Sequence, residues 1–367
     1  MDLNFTEEQD MLRATVRKIC DEYSNLSVLR DLEDAGCGFS APFWRKLAES
    51  GICGLRVDEK YGGVGLGAVD CAVAYEEMGR SLSPSPHFAS SLLSARLMAL
   101  ANPQSKWLKK VASGESIVVP AWQETNAYSS IDRIDTIAIY NGDELRLSGQ
   151  KILVPLANRA DALLVIAKLE DKLAALIVPA EKVMDSLRPQ ANMANEQLFA
   201  VDFQDITLSV SESVLATDIR LHWDQVMLEG MLAISAQAVG GALQMLETTV
   251  RYAKERKQFG QPIGGFQSIA HYLADAATEI EGVRYLVYQA CWAFDNELPF
   301  RKLALMAKLQ CTAVFRRTTV TAIQIHGGMG FTLEADPQLY YRRAKSLQLL
   351  HWDPTYLEEC IADEVFA

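Results

Sequence analysis

The 367-residue chain lacks several features that mark specialised protein classes. Its seven cysteines are scattered without a C-x-x-C pair, which favours free thiols in a reducing compartment over disulfides or a metal site. No run of about 18 apolar residues occurs and the acidic start shows no signal-peptide pattern, so we expect a cytoplasmic protein without a membrane partner. Basic residues are outnumbered, 35 against 47 acidic ones, and the net charge of −12 argues against nucleic acid as a partner.

The chain does contain enough apolar residues, 49%, for two or three globular domains. Helical periodicity begins at Thr6–Gln9, a capping-box pattern, and continues to about residue 115. From Ser116 the period shortens, and Asn141-Gly142 predicts a type I′ hairpin between strands at 137–147. Helical periodicity returns after Ser213. The pattern predicts an α+β protein with a helical domain at 1–115, a β domain at 116–213 and a helical bundle at 214–367.

Four glycines between Tyr61 and Gly67 resemble, at first sight, a phosphate-binding loop. A dinucleotide fingerprint needs a strand directly before its glycines, and helical patterns surround this segment instead. We therefore interpret it as a loop that caps the helix predicted at 68–80.

The most informative stretch is the corner at residues 256–267, RKQFGQPIGGFQ. A long apolar helical stripe runs into it, Gly260 and Pro262 break that helix, and a second helix follows. Arg256 would pair with phosphate in a planar fork, which makes the corner a candidate for an anionic, partly aromatic ligand. The alternative is a helical hairpin with an exposed arginine and a buried Phe259.

A glycine cluster at 324–331, QIHGGMGF, ends another apolar helix. The two stretches, in this order and at this separation, resemble the acyl-CoA dehydrogenase family, and the resemblance extends over essentially the whole chain. It implies a helical domain, a β-sandwich or barrel domain and a C-terminal four-helix bundle. It also implies an FAD-dependent oxidoreductase of lipid metabolism that desaturates acyl-CoA and passes electrons to an electron-transferring flavoprotein.

The resemblance also assigns residues to the cofactor, which the family shares between subunits of an oligomer. It implies that Arg256 faces the FAD pyrophosphate. It also implies that the corner at 256–267 and the glycine turn of one subunit complete the FAD site of the neighbouring subunit. The residues implied in cofactor binding are Arg256, Phe259, Gln267, Gln324, Gly327, Gly328 and Gly330. Surface amides at 267 and 324, and a core aromatic at 259, are the alternatives.

The flavin-side motifs of the family are altered here. Where the family has T-E-P-x-A-G-S-D, residues 123–130 read QETNAYSS, and where it has W-I-T, the chain has Leu153-Val154-Pro155. Leucine provides no indole face, and proline removes a backbone donor. An ordinary FAD site that has drifted is the alternative.

The family's general base is altered as well. The segment AKSLQLL at 344–350 matches the one that precedes the usual glutamate, but the next residue is His351. In a minority of the family the glutamate lies on the helix before the arginine corner, where Gly230 stands with Glu229 one residue earlier. One residue rotates a helical side chain by roughly 100°, so Glu229 is out of phase. A solvent-facing Glu229 and a structural or exposed His351 are the alternatives.

These correlated losses resemble one subunit of the heterotetrameric acyl-CoA dehydrogenases that act on bulky substrates such as steroid side chains. The primary hypothesis is therefore a component that needs a partner chain. A homo-oligomer using Glu229 is the second hypothesis, and a non-catalytic acyl-CoA- or FAD-binding scaffold is the third.

Overall fold

The computed structural model describes residues 4–125 and 130–366 and confirms the α+β class, with helices at both ends of the chain and a sheet between them. Two compact units divide it. One combines the described parts of Met1–Arg30, Gly67–Ser83 and Met231–Ala367, and the other combines Asp31–Leu66 with Pro84–Gly230. These units are not contiguous along the chain, and the three predicted boundaries stay predictions.

Helices occupy the first part of the chain, as the periodicity predicts. They are α1 (Glu7–Tyr23), α2 (Leu26–Asp34), α3 (Ala41–Glu49), α4 (Ala68–Arg80), α5 (Ala95–Ala101) and α6 (Lys106–Ala112), with a π-helical segment at Phe88–Ser94 before α5. The capping box of Thr6 and Gln9 is present.

The glycine loop before α4 caps a helix, as interpreted above. The carboxylate of Asp295 accepts hydrogen bonds from the backbone N–H groups of Ala68 and Val69, at 2.7 and 3.0 Å. A side chain of the protein thus satisfies the donors that a phosphate would need at this helix N-terminus.

An eight-stranded sheet forms the middle of the chain. The strands are β1 (Val118–Ala121), β2 (Ile137–Asn141), β3 (Glu144–Pro155), β4 (Ala162–Leu169), β5 (Lys172–Pro179), β6 (Leu187–Gln190), β7 (Leu198–Ser209) and β8 (Val214–Thr217), with the short α7 (Val210–Ser213) before β8. Their order in the sheet is β6-β7-β3-β2-β4-β5-β8, and β1 pairs in parallel with β4. Strand β8 lies beyond the predicted end of the β segment.

The predicted hairpin joins β2 and β3, but its turn is not type I′. Asn141 pairs with Glu144, so Gly142 and Asp143 are the central residues, and of these two Gly142 alone has a positive φ, 65°. A type I′ turn needs positive φ at both central residues, so that prediction is wrong in detail. The Asn-Gly pair is shifted by one position, with Asn141 still in the strand.

Long helices form the last part of the chain: α8 (Arg220–Glu255), α9 (Gln267–Asp295), α10 (Arg301–His326), α11 (Asp336–Leu349) and α12 (Pro354–Phe366), with β9 (Lys257–Gln258) and β10 (Gln261–Pro262) between α8 and α9. By length and hydropathy α8 could cross a membrane, but 89% of its apolar window is buried inside the protein. Its apolar surface is therefore buried within the protein.

A buried carboxylate ties α4 to α9 in this part of the core. Glu76 is 3% exposed and accepts hydrogen bonds from the guanidinium of Arg284, both at 3.0 Å, and from the hydroxyl of Tyr288 at 2.9 Å. Burying a charge is costly unless it is paired in this way, so the three side chains specify how the two helices pack.

Candidate active site

The arginine corner is an exposed hairpin between two long helices. Helix α8 ends at Glu255, and β9 and β10 pair around a two-residue turn of Phe259 and Gly260. Both turn residues have positive φ, 52° and 83°, as a type I′ turn requires. A positive φ is strained for a phenylalanine. Phe259 is also 91% exposed. The alternative of a core aromatic at 259 is therefore wrong.

The side chain of Arg256 is exposed beside this turn, and no carboxylate in residues 4–125 and 130–366 pairs with it. Its backbone is held on both sides: its N–H donates to the carbonyl oxygen of Tyr252, and its own carbonyl accepts from the N–H of Ile263, both at 2.8 Å. Gln267, the first residue of α9, and Gln324, near the end of α10, are also exposed. These side chains are available to a group from outside the chain.

The glycine cluster forms a 3-10 turn, Gly327–Phe331, after α10. Gly327 has φ 63°, and a side chain at Gly330 would lie 2.7 Å from the carbonyl oxygen of Ile323, so the turn itself requires these two glycines. A side chain at Gly328 would meet nothing within 4 Å. The fold of this chain does not need glycine at 328, and the position leaves room for a ligand above the turn.

Aromatic stacking joins the two stretches. The rings of Tyr252, one turn before Arg256, and His326, directly before Gly327, are 4.2 Å apart and inclined by 20°. His326 Nδ1 lies 2.8 Å from the carbonyl oxygen of Ala322, which can only accept, so this nitrogen carries a proton and donates. Two stretches that are distant in sequence are thus neighbours on one compact unit.

The donor set of this surface fits the pyrophosphate and adenosine end of FAD. An unpaired guanidinium offers a charge-assisted fork to phosphate oxygens, and the open glycine turn permits close backbone approach. The exposed ring of Phe259 offers an apolar face. The residues that the resemblance assigned to the cofactor therefore lie in two turns or on the helices next to them.

The flavin-side segment is anchored by a buried ion pair that sequence reasoning missed. Lys151 donates to a carboxylate oxygen of Glu124 at 2.6 Å, and neither side chain is more than 7% exposed. The same carboxylate accepts from the backbone N–H groups of Asp135 and Thr136 at 2.6 and 3.1 Å. Burial lowers the pKa of Lys151 to about 8 against the opposing charge of Glu124. The altered motif at 123–130 falls partly on residues 126–129, which lie outside the described residues.

At the site of the family's W-I-T motif, Leu153 adopts φ 54° and its backbone N–H donates to the amide oxygen of Gln190 at 2.7 Å. Pro155 has no N–H and pairs with Leu198 at the end of β3. The backbone donor of Leu153 is therefore occupied within the chain, and residue 155 has no backbone donor.

Glu229 is buried, not solvent-facing, and is held by two arginines. Arg96 grips both carboxylate oxygens at 2.9 Å, and Arg56 donates to one of them at 3.0 Å. Burial alone would raise the pKa of this carboxyl, but the positive charges of Arg96 and Arg56 outweigh it and hold the pKa below its usual range. A side chain at Gly230 would point at Leu93, 2.9 Å away, so the neighbouring glutamate points elsewhere. This geometry is that of a structural ion pair and does not favour a general base.

His351 is buried as well, being 7% exposed, in a strained loop after α11. It and Trp352 have positive φ, 51° and 84°. Burial, reinforced by the nearby Lys308 ammonium, lowers the pKa of His351 to about 3. Imidazole with so low a pKa is a poor proton acceptor at neutral pH. Of the alternatives left open by the sequence, the structural histidine fits this environment and the exposed one does not.

Lys308, which the sequence did not single out, holds this loop. Its side chain is fully buried on α10, and its ammonium donates to the carbonyl oxygens of Gln348 and Trp352, at 2.9 and 2.5 Å. Burial lowers the pKa of Lys308 to about 7, with Asp353 opposing the shift. A single lysine within an apolar helical stripe is normally expected to extend its aliphatic chain along the apolar surface and place its ammonium in solvent. The sequence pattern alone therefore could not reveal that the ammonium of Lys308 is buried.

Comparison with known proteins places these features in a family. Models of the acyl-CoA dehydrogenase N-terminal and C-terminal domains match residues 6–115 and 225–351. A probable acyl-CoA dehydrogenase, YngJ of Bacillus subtilis, is 32% identical, and the match covers 95% of each chain.

Two solved structures are also similar. Butyryl-CoA dehydrogenase from Megasphaera elsdenii superposes with a TM-score of 0.91 at 25% identity, covering 100% of both chains. The ChsE4-ChsE5 complex from Mycobacterium tuberculosis contains a chain that superposes with a TM-score of 0.89 at 25% identity, covering 100% of this chain and 99% of that one.

Proposed function

This chain belongs to the acyl-CoA dehydrogenase family, and from that membership we propose that it is an FAD-binding subunit whose general base is supplied by a partner chain. The single observation that carries the proposal is the environment of His351. At the position where the family has its usual glutamate, the chain has an imidazole that burial and Lys308 keep neutral.

The environment of the other carboxylate considered from the sequence, Glu229, argues against a role as the base. Both oxygens of Glu229 are engaged by Arg96, and abstracting a proton would require that fork to open in a buried environment. The cofactor corner, in contrast, is intact and exposed. One half of the family's machinery is therefore present, and the other half is best supplied from outside.

The proposed division of labour follows the chemistry of α,β-desaturation. When bound, FAD would supply the acceptor for the hydride that leaves the β carbon of the acyl group. A carboxylate of the partner removes the α proton, and this chain contributes the guanidinium of Arg256 and the open turn at Gly328 to the pyrophosphate and adenosine end of the cofactor. The electrons would then pass to an electron-transferring flavoprotein.

The likeness to a chain of the ChsE4-ChsE5 complex supports an assembly of two different chains. We further propose a bulky acyl-CoA substrate, as in the heterotetrameric enzymes that this chain resembles. A homo-oligomer with Glu229 as its base is the second candidate, since Glu229 is the carboxylate nearest the alternative position. A non-catalytic scaffold is the third.

The test is an assay of acyl-CoA oxidation with the chain alone and with the product of a neighbouring homologous gene. We expect turnover about 10²- to 10⁴-fold lower without the partner, the usual effect of losing a general base. In the complex, His351→Ala should change turnover little. Robust turnover by the chain alone, abolished in Glu229→Gln, would establish the second candidate. Purified complex without the visible absorbance of flavin would favour the scaffold.

A further inference from the structure

We infer that the stacked pair of Tyr252 and His326 is a positioning contact that fixes the arginine corner and the glycine turn for one shared ligand. The inference rests on the proposed FAD site and adds two residues to it. Neither was among the residues assigned from the sequence. Both belong to the same compact unit as the corner and the turn.

Each ring is directly coupled to one of the two cofactor stretches. The carbonyl oxygen of Tyr252 accepts the backbone N–H of Arg256 at 2.8 Å, so the residue that carries the ring also holds the backbone of the arginine. His326 is the last residue of α10, and the positive-φ Gly327 follows it at once. A shift of either ring would therefore move the adjoining ligand-binding segment.

The contact between Tyr252 and His326 also has a defined stacking geometry. The rings are 4.2 Å apart with only 20° between their planes, which is a stacked arrangement. The bond from His326 Nδ1 to the carbonyl of Ala322, 2.8 Å, keeps the imidazole in this orientation. Two rings on different helix ends are thereby held face to face, and a ligand needing both segments gains from the preorganisation.

The consequence is a coupling between Tyr252 and His326 that appears in cofactor affinity. The interaction free energy of an aromatic pair corresponds to a change of about 2- to 12-fold in a dissociation constant. We expect Tyr252→Leu and His326→Leu each to weaken FAD binding by this factor. The double variant should be no weaker than the single ones, because both remove the same contact.

The experiment measures the FAD dissociation constant of the assembled protein and the melting temperature of its apo form. Tyr252→Phe keeps a ring and should bind FAD like the unchanged protein. Tyr140→Leu, which truncates an exposed tyrosine on β2, is the matched control. Additive losses in the double variant, or losses equal in Tyr252→Phe and Tyr252→Leu, would overturn the inference.

Arg256→Ala separates this inference from the proposed function. If Arg256→Ala weakens FAD binding and Tyr252→Leu does not, the FAD site stands and the positioning role is refuted. If Tyr252→Leu lowers the melting temperature but leaves FAD affinity unchanged, the stack is merely structural, and the inference is again refuted. If the unchanged protein, assembled with its partner, binds no FAD, the proposed site and this inference both fail.

Discussion

At the scale of single residues, Arg256 owes its proposed role to what surrounds it. Its guanidinium is exposed, and no carboxylate among the side chains that the structure describes pairs with it. Its backbone is nevertheless fixed by hydrogen bonds on both sides. The guanidinium is therefore available to a ligand from outside the chain while the backbone that carries it is held in place.

Replacing Arg256 by alanine should therefore weaken FAD binding in the assembled protein. A charge-assisted contact is worth roughly 1.5–3 kcal/mol, which corresponds to about a 10- to 150-fold change in affinity. Arg256→Lys should recover only part of it, because the planar fork is lost. Equilibrium titration of the apoprotein with FAD measures the effect. Arg251→Ala, at an exposed position on α8, serves as control, and equal affinities in all three variants would contradict the assignment.

Glu229 provides the opposite case, a carboxylate whose partners are inside the protein. Glu229→Gln should destabilise the fold by about 3–5 kcal/mol, because it leaves two largely buried guanidinium groups without their anion. Glu279→Gln, which breaks the exposed pair with Arg317, should cost less than about 1 kcal/mol. Denaturant unfolding of both variants makes the comparison. An unchanged stability combined with lost turnover would show that Glu229 is a base after all.

At the scale of elements, the glycine turn separates two reasons for glycine. Gly330→Ala places a methyl group 2.7 Å from a backbone oxygen, so we expect reduced stability. Gly328→Ala meets nothing within 4 Å, so stability should be unchanged while FAD affinity falls. Thermal unfolding and FAD titration, measured on both variants, distinguish the outcomes. A loss of stability in Gly328→Ala without loss of affinity would remove Gly328 from the site.

The buried Lys308, which links α10 to the end of α11, should make the free energy of unfolding depend on pH. The pKa of Lys308 is about 7 in the folded chain and about 10.4 when unfolded, so between these values the unfolded state binds an extra proton. Stability contributed by this site therefore rises with pH, by up to about 1.4 kcal/mol per unit.

Lys308→Met removes this titration and is the variant to compare. The difference in unfolding free energy between the unchanged protein and Lys308→Met should move in favour of the unchanged protein from about pH 7 to about pH 10. Unfolding curves at several pH values measure it. A difference that stays constant over this range would mean that the buried lysine keeps an ordinary pKa.

At the scale of the whole molecule, exposed apolar side chains point to association. Tyr272 on α9 is 55% exposed, Val320 on α10 is 46% exposed and Phe331 in the glycine turn is 67% exposed. We expect another subunit to cover these side chains in the assembled protein. The proposed cofactor corner is likewise useful only when another chain completes the site.

We therefore expect the chain to sediment as at least a dimer, by itself or with its partner. Val320→Asp should weaken that association, because burying an unpaired carboxylate at an interface is costly. Thr355→Asp, at an exposed position on α12, is the control. A stable monomer at micromolar concentration, in the presence of the partner as well, would argue strongly against the shared cofactor site.

The sequence by itself determined the classes of element and located the two stretches that we propose for the cofactor. Local periodicity and capping residues are enough to predict these features. The helix cap at Thr6, the glycine loop before α4 and the corner at 256–267 each depend on residues that are close together in the chain. The prediction from the sequence was less exact for the hairpin after Asn141, because a shift of one residue in the register changes the turn type. It also missed β6 and β8, which are short strands at the two ends of the sheet.

Only the tertiary structure decided which charged groups are buried and what they contact. Glu229, His351, Lys308 and Lys151 each look like ordinary helix, strand or loop residues in the sequence, because the spacing of residues on one element does not reveal the element packed against it. Desolvation and the charge of a remote partner then set their protonation. The contact of Tyr252 with His326 has the same origin: two helix ends far apart in the chain meet only once the bundle has formed.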